Sequence, residues 1–197
     1  MSIRLFGVFG VGTQSGKTTA TNQIAATKSP MVVVPMAYTL KRMLMVLLHD
    51  LGLSDSEAEA RIYGHMKEEP IDILGGKTCR DLMQTLGTEW GRSMVSDDLW
   101  VKCWEKRIHD IWHDAYADVA CDDIRFENEA EKIRKYGGKV VMVRGEVGAE
   151  EAQKHASEGR LSEKDADVVI ENDGTIEDLR SRIIAAVVKL EAEASGG

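Results

Sequence analysis

Apolar residues fall in five short, nearly continuous runs: Ile3–Gly10 (IRLFGVFG), Met31–Met36 (MVVVPM), Asp118–Asp122 (DVACD), Lys139–Arg144 (KVVMVR) and Asp167–Glu171 (DVVIE). Most are rich in valine and lack regular polar alternation. That pattern predicts strands covered on both faces, hence a parallel sheet between layers of helix. Between the runs the period changes to steps of three and four. Asp98–Tyr116 places Trp100, Trp104, Ile108, Ile111, Trp112 and Tyr116 on one stripe. Thr175 with Asp178 predicts the start of a helix over Ile176–Ala192, and Ser54 with Glu57 does the same before Ala58–Tyr63. Strands separated by helices predict an α/β fold.

The spacing is uneven. Roughly 80 residues, Ala37 to Ala117, separate the second run from the third, and nearly all of them are helical in pattern. An α/β crossover needs far fewer. The predicted organisation is therefore a core of 1–36 and 118–197 with a helical insert, 37–117, that covers one side of the active site. Small phosphotransferases that exclude water use such an element. No internal repeat or low-complexity tract is present, and Glu191 to Gly197 reads as a frayed tail.

Composition narrows the classes. A chain of 197 residues holds one domain with an inserted sub-domain and can bury a core without disulfides. With 43% hydrophobic and 29% charged residues it is not a disordered chain. A net charge of −8 disfavours a stable nucleic-acid complex. No apolar run approaches the roughly 20 residues a membrane span needs. The start, MSIRLFGVFG, is too short for a signal peptide and lacks a cleavage site. Cys79, Cys103 and Cys121 form no CxxC pair, which points to a reducing cytoplasm.

Chemistry enters at Gly10-Val-Gly-Thr-Gln-Ser-Gly-Lys-Thr-Thr19, directly after the first strand. Gly16-Lys17-Thr18 is the end of a Walker A loop, G-x-x-x-x-G-K-[ST]. Such a loop turns backbone N–H groups around a phosphate, and the helix that follows aims its positive end at the same anion. The ATP-binding residues on this reading are Gly12, Thr13, Gln14, Ser15, Gly16, Lys17, Thr18 and Thr19. Lys17 bridges the β- and γ-phosphates and Thr18 ligates Mg²⁺. The first glycine of the strict motif is replaced by Val11, flanked by Gly10 and Gly12. No N-K-x-D segment is present to read guanine, and a helicase or motor would be longer and more basic. A small kinase fits the length and the insert.

The third run ends in Cys121-Asp-Asp-Ile-Arg-Phe-Glu-Asn-Glu129. A carboxylate here sits where a Walker B aspartate holds the Mg²⁺ shell, and the residues alone leave Asp122 and Asp123 both open. Arg125 falls at the mouth of the crevice where open parallel sheets bind ligands. Within the insert, Arg80 and Gln84 lie one helical turn apart. An arginine fork suits phosphate, while an amide and the nearby Trp90 suit a base. A solvated helix face reads equally well from the same residues. His109-Asp-Ile-Trp-His113 has a zinc-like spacing but no evident third ligand. The acidic residues around Glu146–Glu163 read as a solvated lid or loop.

At these residues the chain resembles the deoxynucleoside monophosphate kinases of bacteriophages. The resemblance is carried by Ser15-Gly-Lys-Thr18, Leu40-Lys41, Arg80, Leu82-Met-Gln-Thr-Leu-Gly-Thr-Glu-Trp-Gly-Arg92, Asp123-Ile-Arg-Phe-Glu-Asn-Glu-Ala130, Gly137-Gly138, His155-Ala-Ser-Glu158 and Asn172-Asp-Gly-Thr-Ile-Glu-Asp-Leu179. The chain departs from it at Val11 and at Tyr38-Thr39, where similar sequences carry Asp-Pro. The resemblance implies a three-layer P-loop fold with a five-stranded parallel sheet and a helical acceptor-binding insert. It implies transfer of the γ-phosphoryl of ATP to a deoxynucleoside monophosphate, with Mg²⁺. It places Arg80, Gln84, Thr88, Glu89, Trp90 and Arg92 in the acceptor site, with Lys41 and Arg125 beside them. It favours Asp123 over Asp122 for the metal, with Lys17, Asp123 and Arg125 as catalytic residues. The expected setting is the cytoplasm of an infected host cell, and a homodimer is compatible with the pattern. Three other readings stay open: a P-loop kinase acting on a modified base in DNA, a kinase of another small molecule such as dephospho-coenzyme A, and a non-catalytic nucleotide-binding regulator.

Overall fold

In chain order the strands are β1 (Leu5–Val11), β2 (Met31–Val33), β3 (Pro70–Ile71), β4 (Lys77–Thr78), β5 (Asp118–Cys121), β6 (Lys139–Arg144) and β7 (Val168–Glu171). The helices are α1 (Lys17–Thr27), α2 (Tyr38–Asp50), α3 (Asp55–Ile62), α4 (Cys79–Gln84), α5 (Leu99–Asp114), α6 (Glu127–Lys135) and α7 (Ile176–Gly196). They come from a computed structural model that describes residues 4–11, 15–28, 30–115, 117–145 and 161–196. The chain divides into two units, Met1–Met36 with Lys106–Gly197, and Ala37–Glu105. The second boundary falls inside α5.

The first unit holds a five-stranded parallel sheet in the order β2-β5-β1-β6-β7. Alternation along β1 explains its two covers. Phe6 and Val8 face a cluster with Ala20 and Ile24 of α1 and Leu179, Ile183, Val187 and Leu190 of α7. Gly7 faces the other way, where a Cβ would come within 3.0 Å of Ile124 and of Ile133 on α6. The result is the three-layer α/β architecture the apolar runs predict.

Several strand bounds differ from expectation. Met31–Met36 forms a strand only as far as Val33, and Val32 and Val33 are each 37% exposed. β2 is an outermost strand, so one edge and part of its face meet solvent. Pro35 has no N–H to extend the ladder. β7 is the other outermost strand, with Val168 and Val169 half-buried. A valine run therefore marks a strand but not its place in the sheet. The third run ends as a strand at Cys121, one residue short of the expected Asp122. Tyr116, the last position of the expected tryptophan stripe, lies outside the described residues; Trp100, Trp104 and Ile108 are buried.

The second unit packs Leu40, Leu44 and Leu48 of α2 against Ala58 and Ile62 of α3, with Ile71, Cys79 and Trp100. Ser54 caps α3 by accepting the Glu57 N–H, as its spacing predicts. Thr78 and Asp81 form a reciprocal capping box on α4. β3 and β4 make a small antiparallel hairpin that the sequence pattern did not indicate. Buried Arg61 ties α3 to that hairpin through the carbonyls of Glu69 and Pro70.

After α4 the chain continues as a π-helix, Thr85–Val95. The Ser96 N–H donates to Gly91 O, and Ser93 Oγ donates to Thr88 O, both five residues back. Trp100 docks on this segment. Its Nε1–H donates to Gly87 O at 2.8 Å, and a Cβ on Gly91 would lie 2.5 Å from the indole. Gly91→Ala should therefore cost about 1–3 kcal/mol by overpacking. Chemical denaturation checks this: an unchanged midpoint would contradict the docking.

Candidate active site

β1 runs on through Val11, which pairs with Arg144 on β6 and accepts the Gly145 N–H at 3.0 Å. A β-branched residue suits that strand position, so the glycine of the strict motif is not needed there. The close approach comes one residue earlier. A Cβ on Gly10 would lie 2.0 Å from the Ser15 hydroxyl, which is buried against it. Gly12, Thr13 and Gln14 lie outside the described residues.

Gly16 caps α1 with φ of 85°, a left-handed conformation that glycine adopts without steric cost. It supplies no side-chain cap, and the first turn contains no acidic residue. The first N–H groups of α1 thus have no side-chain cap and no acidic residue in their own turn, which suits an anion. Lys17 and Thr18 open the helix, Lys17 half-buried and Thr18 exposed; half-buried Thr19 follows them.

The end of β5 supplies the acidic side. Asp123 is the non-glycine residue with positive φ among those described, at 55°. This turn lies where aspartate is tolerated and most residues are strained. The Asp123 carboxylate sits 3.7 Å from Lys17 Nζ and 2.6 Å from an Arg125 guanidinium nitrogen. One carboxylate thus gathers two cations. Glu129, buried on α6, holds the turn by accepting the N–H groups of Arg125 at 2.6 Å and Phe126 at 3.2 Å. Partial burial works against the Arg125 charge. The carboxylates of Asp123, Glu129 and Asp122 outweigh it and raise the guanidinium pKa above its usual value. Arg125 is a permanent cation here.

In the second unit the expected acceptor residues occupy different settings. Arg80 is exposed and paired with Glu68. Gln84 ends α4 and is exposed. Thr88, Glu89 and Trp90 are exposed on the π-helix, with the Trp90 ring 6.2 Å from that of Trp100. Lys41 on α2 lies over the Tyr63 ring, 4.8 Å from its centroid. Arg92 differs from an open phosphate fork: it is buried, and its guanidinium donates to the backbone carbonyl and the carboxylate of Asp97, each at 2.9 Å.

His109 bonds the Tyr136 hydroxyl at 2.9 Å and stacks edge-on with Trp112. His113 pairs with Asp114. No cluster of three or more His, Cys, Asp or Glu side chains among the described residues could hold a metal. The expected lid from Glu146 and the His155-Ala-Ser-Glu158 segment lie outside the described residues, as far as 160. No helix among the described residues is long and apolar enough to cross a membrane. The roles of Glu129 and Asn172 were not assigned from sequence, although both stand in segments that carry the resemblance. The Asn172 amide donates to the Ser15 carbonyl at 3.2 Å.

The deoxynucleotide monophosphate kinase family model matches residues 49–183. The chain is 31% identical, over 196 residues, to a candidate deoxynucleotide monophosphate kinase of Acanthamoeba polyphaga mimivirus, covering 93% of this chain and 95% of that one. It is 30% identical to the deoxynucleotide monophosphate kinase of Escherichia phage RB69 over 70% of this chain and 56% of the relative, so it spans little more than half of that protein's length. Among solved structures, TT1252 from Thermus thermophilus aligns over 96% of this chain and 98% of its own, with a TM-score of 0.54 and 16% identity, a likeness of fold.

Proposed function

Since the chain belongs to the deoxynucleotide monophosphate kinase family, we propose that it transfers the γ-phosphoryl group of ATP to a deoxynucleoside monophosphate, yielding the diphosphate and ADP. The observation that carries this reading is the gathering of Lys17 and Arg125 on Asp123 beside the uncapped N-terminus of α1. In the reaction an acceptor phosphate oxygen attacks the γ-phosphorus, and the bond to the bridging oxygen of ADP breaks in line. No proton need be removed from the attacking group. The protein's task is positioning and neutralisation of charge.

Lys17 leaves its carboxylate partner for the β- and γ-phosphates, and the N–H groups of Gly16 to Thr18 hold the same oxygens. Gly12, Thr13 and Gln14 complete the loop in this proposal, with Ser15 and Thr19 as its buried and helical flanks. Thr18 and Asp123 offer a hydroxyl and a carboxylate, hard oxygen donors of the kind Mg²⁺ takes alongside substrate phosphates, so these residues fit that ion. When bound, Mg²⁺ neutralises charge on the phosphate oxygens. Arg125 adds a further fixed cation for the transferred group.

On the acceptor side, the proposal gives Arg80 the monophosphate and gives Gln84, Thr88, Glu89 and Trp90 the nucleoside. Lys41, held over Tyr63, adds positive charge to the same unit. Arg92 serves by fixing the π-helix through Asp97. The setting is the supply of DNA precursors in the cytoplasm of an infected cell, with free nucleotides as partners.

The reading is tested by following the label of [γ-³²P]ATP, which should appear in the nucleoside diphosphate. Label released only as inorganic phosphate would contradict it. Arg80→Ala should raise KM for the monophosphate about tenfold, as loss of a charge-assisted contact does, with KM for ATP unchanged. Equal rises for both nucleotides would contradict the assignment of Arg80.

A further inference from the structure

The proposed function leaves unexplained the contact between the end of β7 and the phosphate loop. The Asn172 side-chain N–H donates to the carbonyl oxygen of Ser15 at 3.2 Å, across 157 residues of sequence. Asn172 is itself anchored, because its backbone N–H donates to Arg144 O at 2.7 Å. Gly16 leaves room for it: a Cβ there would lie 2.8 Å from Asn172 Nδ2 and 3.0 Å from Leu179 on α7.

Peptide geometry gives this contact a consequence. The Ser15 carbonyl and the Gly16 N–H belong to one planar trans peptide, so they point in opposite directions. Fixing the carbonyl fixes the N–H. Glycine at position 16 has little steric preference of its own, so the Ser15–Gly16 peptide could turn over at low cost without a tether. Turned over, it would present an oxygen where a phosphate cradle needs an N–H.

We propose that Asn172 is a positioning residue for the triphosphate: by holding the Ser15 carbonyl it aims the Gly16 N–H at the phosphates. The inference rests on the reading of the Gly16–Thr18 loop as the ATP site. It assigns to Asn172 an effect on the phosphate chain and none on the nucleoside or the acceptor.

The test uses Asn172→Leu and Asn172→Ala, neither of which can donate a side-chain hydrogen bond or adds charge near the loop. Binding of ATP, of inorganic tripolyphosphate and of a deoxynucleoside monophosphate is measured by calorimetric titration of the full chain. Both variants should bind ATP and tripolyphosphate about tenfold more weakly, by a common factor, as loss of one oriented donor does. Monophosphate affinity should stay within twofold. If Asn172→Leu fails to fold, the smaller and equally uncharged Asn172→Ala decides. A loss confined to ATP would overturn the proposal, since Asn172 would then serve the nucleoside. Unchanged affinities, or a matching loss for the monophosphate, would overturn it too. An unsubstituted protein that binds neither ATP nor tripolyphosphate would instead overturn the reading of the loop.

Discussion

Lys17→Ala should leave a folded protein with phosphoryl transfer reduced roughly 10³-fold or more. The lysine is the cation placed at the opening of α1, and its proposed work is done on charge that develops in the transition state. Such fixed charges contribute about 3–4 kcal/mol to the barrier when removed one at a time. The folded state loses little by comparison. The Lys17–Asp123 pair spans 3.7 Å and both side chains are 37% exposed, so solvent screens it to about 0–1 kcal/mol. Arg125 continues to hold Asp123 in its absence. Turnover and thermal unfolding of the variant check both halves. Retention of more than about a tenth of the activity would contradict the phosphate-loop assignment.

Asp123→Asn should be the second large effect, and Asp122→Asn should be small. Asparagine tolerates the positive φ at position 123, so the substitution removes charge and leaves the turn intact. Asp123→Ala would add strain of about 1–2 kcal/mol and confuse the comparison. Loss of a group that orients the metal commonly costs 10–100-fold, and Asp123 also positions Lys17 and Arg125. A fall in kcat of roughly 10²-fold with a raised Mg²⁺ requirement is therefore expected. On the same reasoning Asp122→Asn should change activity less than about tenfold. A Mg²⁺ titration of the two variants separates them. A larger Mg²⁺ effect at Asp122 would transfer the metal role to that residue.

The sheet was legible because valine runs without polar alternation describe strands covered on both faces, and β1, β5 and β6 are such strands. The same signal overstated β2. Edge position is set by which strands pair, and no local pattern records that. The choice between Asp122 and Asp123 was illegible for a related reason. The strand ends at Cys121, so alternation stops applying before either aspartate, and the left-handed turn at Asp123 decides where its carboxylate goes.

In the insert the start of α3 was legible from Ser54 and Glu57, whereas the equally local Thr78–Asp81 box that opens α4 was not read. The π-helix has no such local signal. Its bonds reach five residues back, so faces drawn at steps of three and four fail from Thr85 onward. Arg92, which the resemblance implies in the acceptor site, is buried against Asp97, a setting that no local pattern records. Asn172 shows the limit most clearly. Its partner Ser15 lies near the other end of the chain, and only the fold brings the turn after β7 against the loop before α1.

Phosphoryl transfer between two nucleotides is tested by incubating the protein with Mg²⁺, ATP and each of the four common deoxynucleoside monophosphates in turn. ADP and the new diphosphate are then quantified by anion-exchange chromatography. At least one acceptor should yield diphosphate and ADP in equal amounts, ADP formation without acceptor should be far slower, and Lys17→Ala should reduce both products roughly 10³-fold or more. ADP released at the same rate with and without acceptor, or no diphosphate from any of the four, would contradict that transfer.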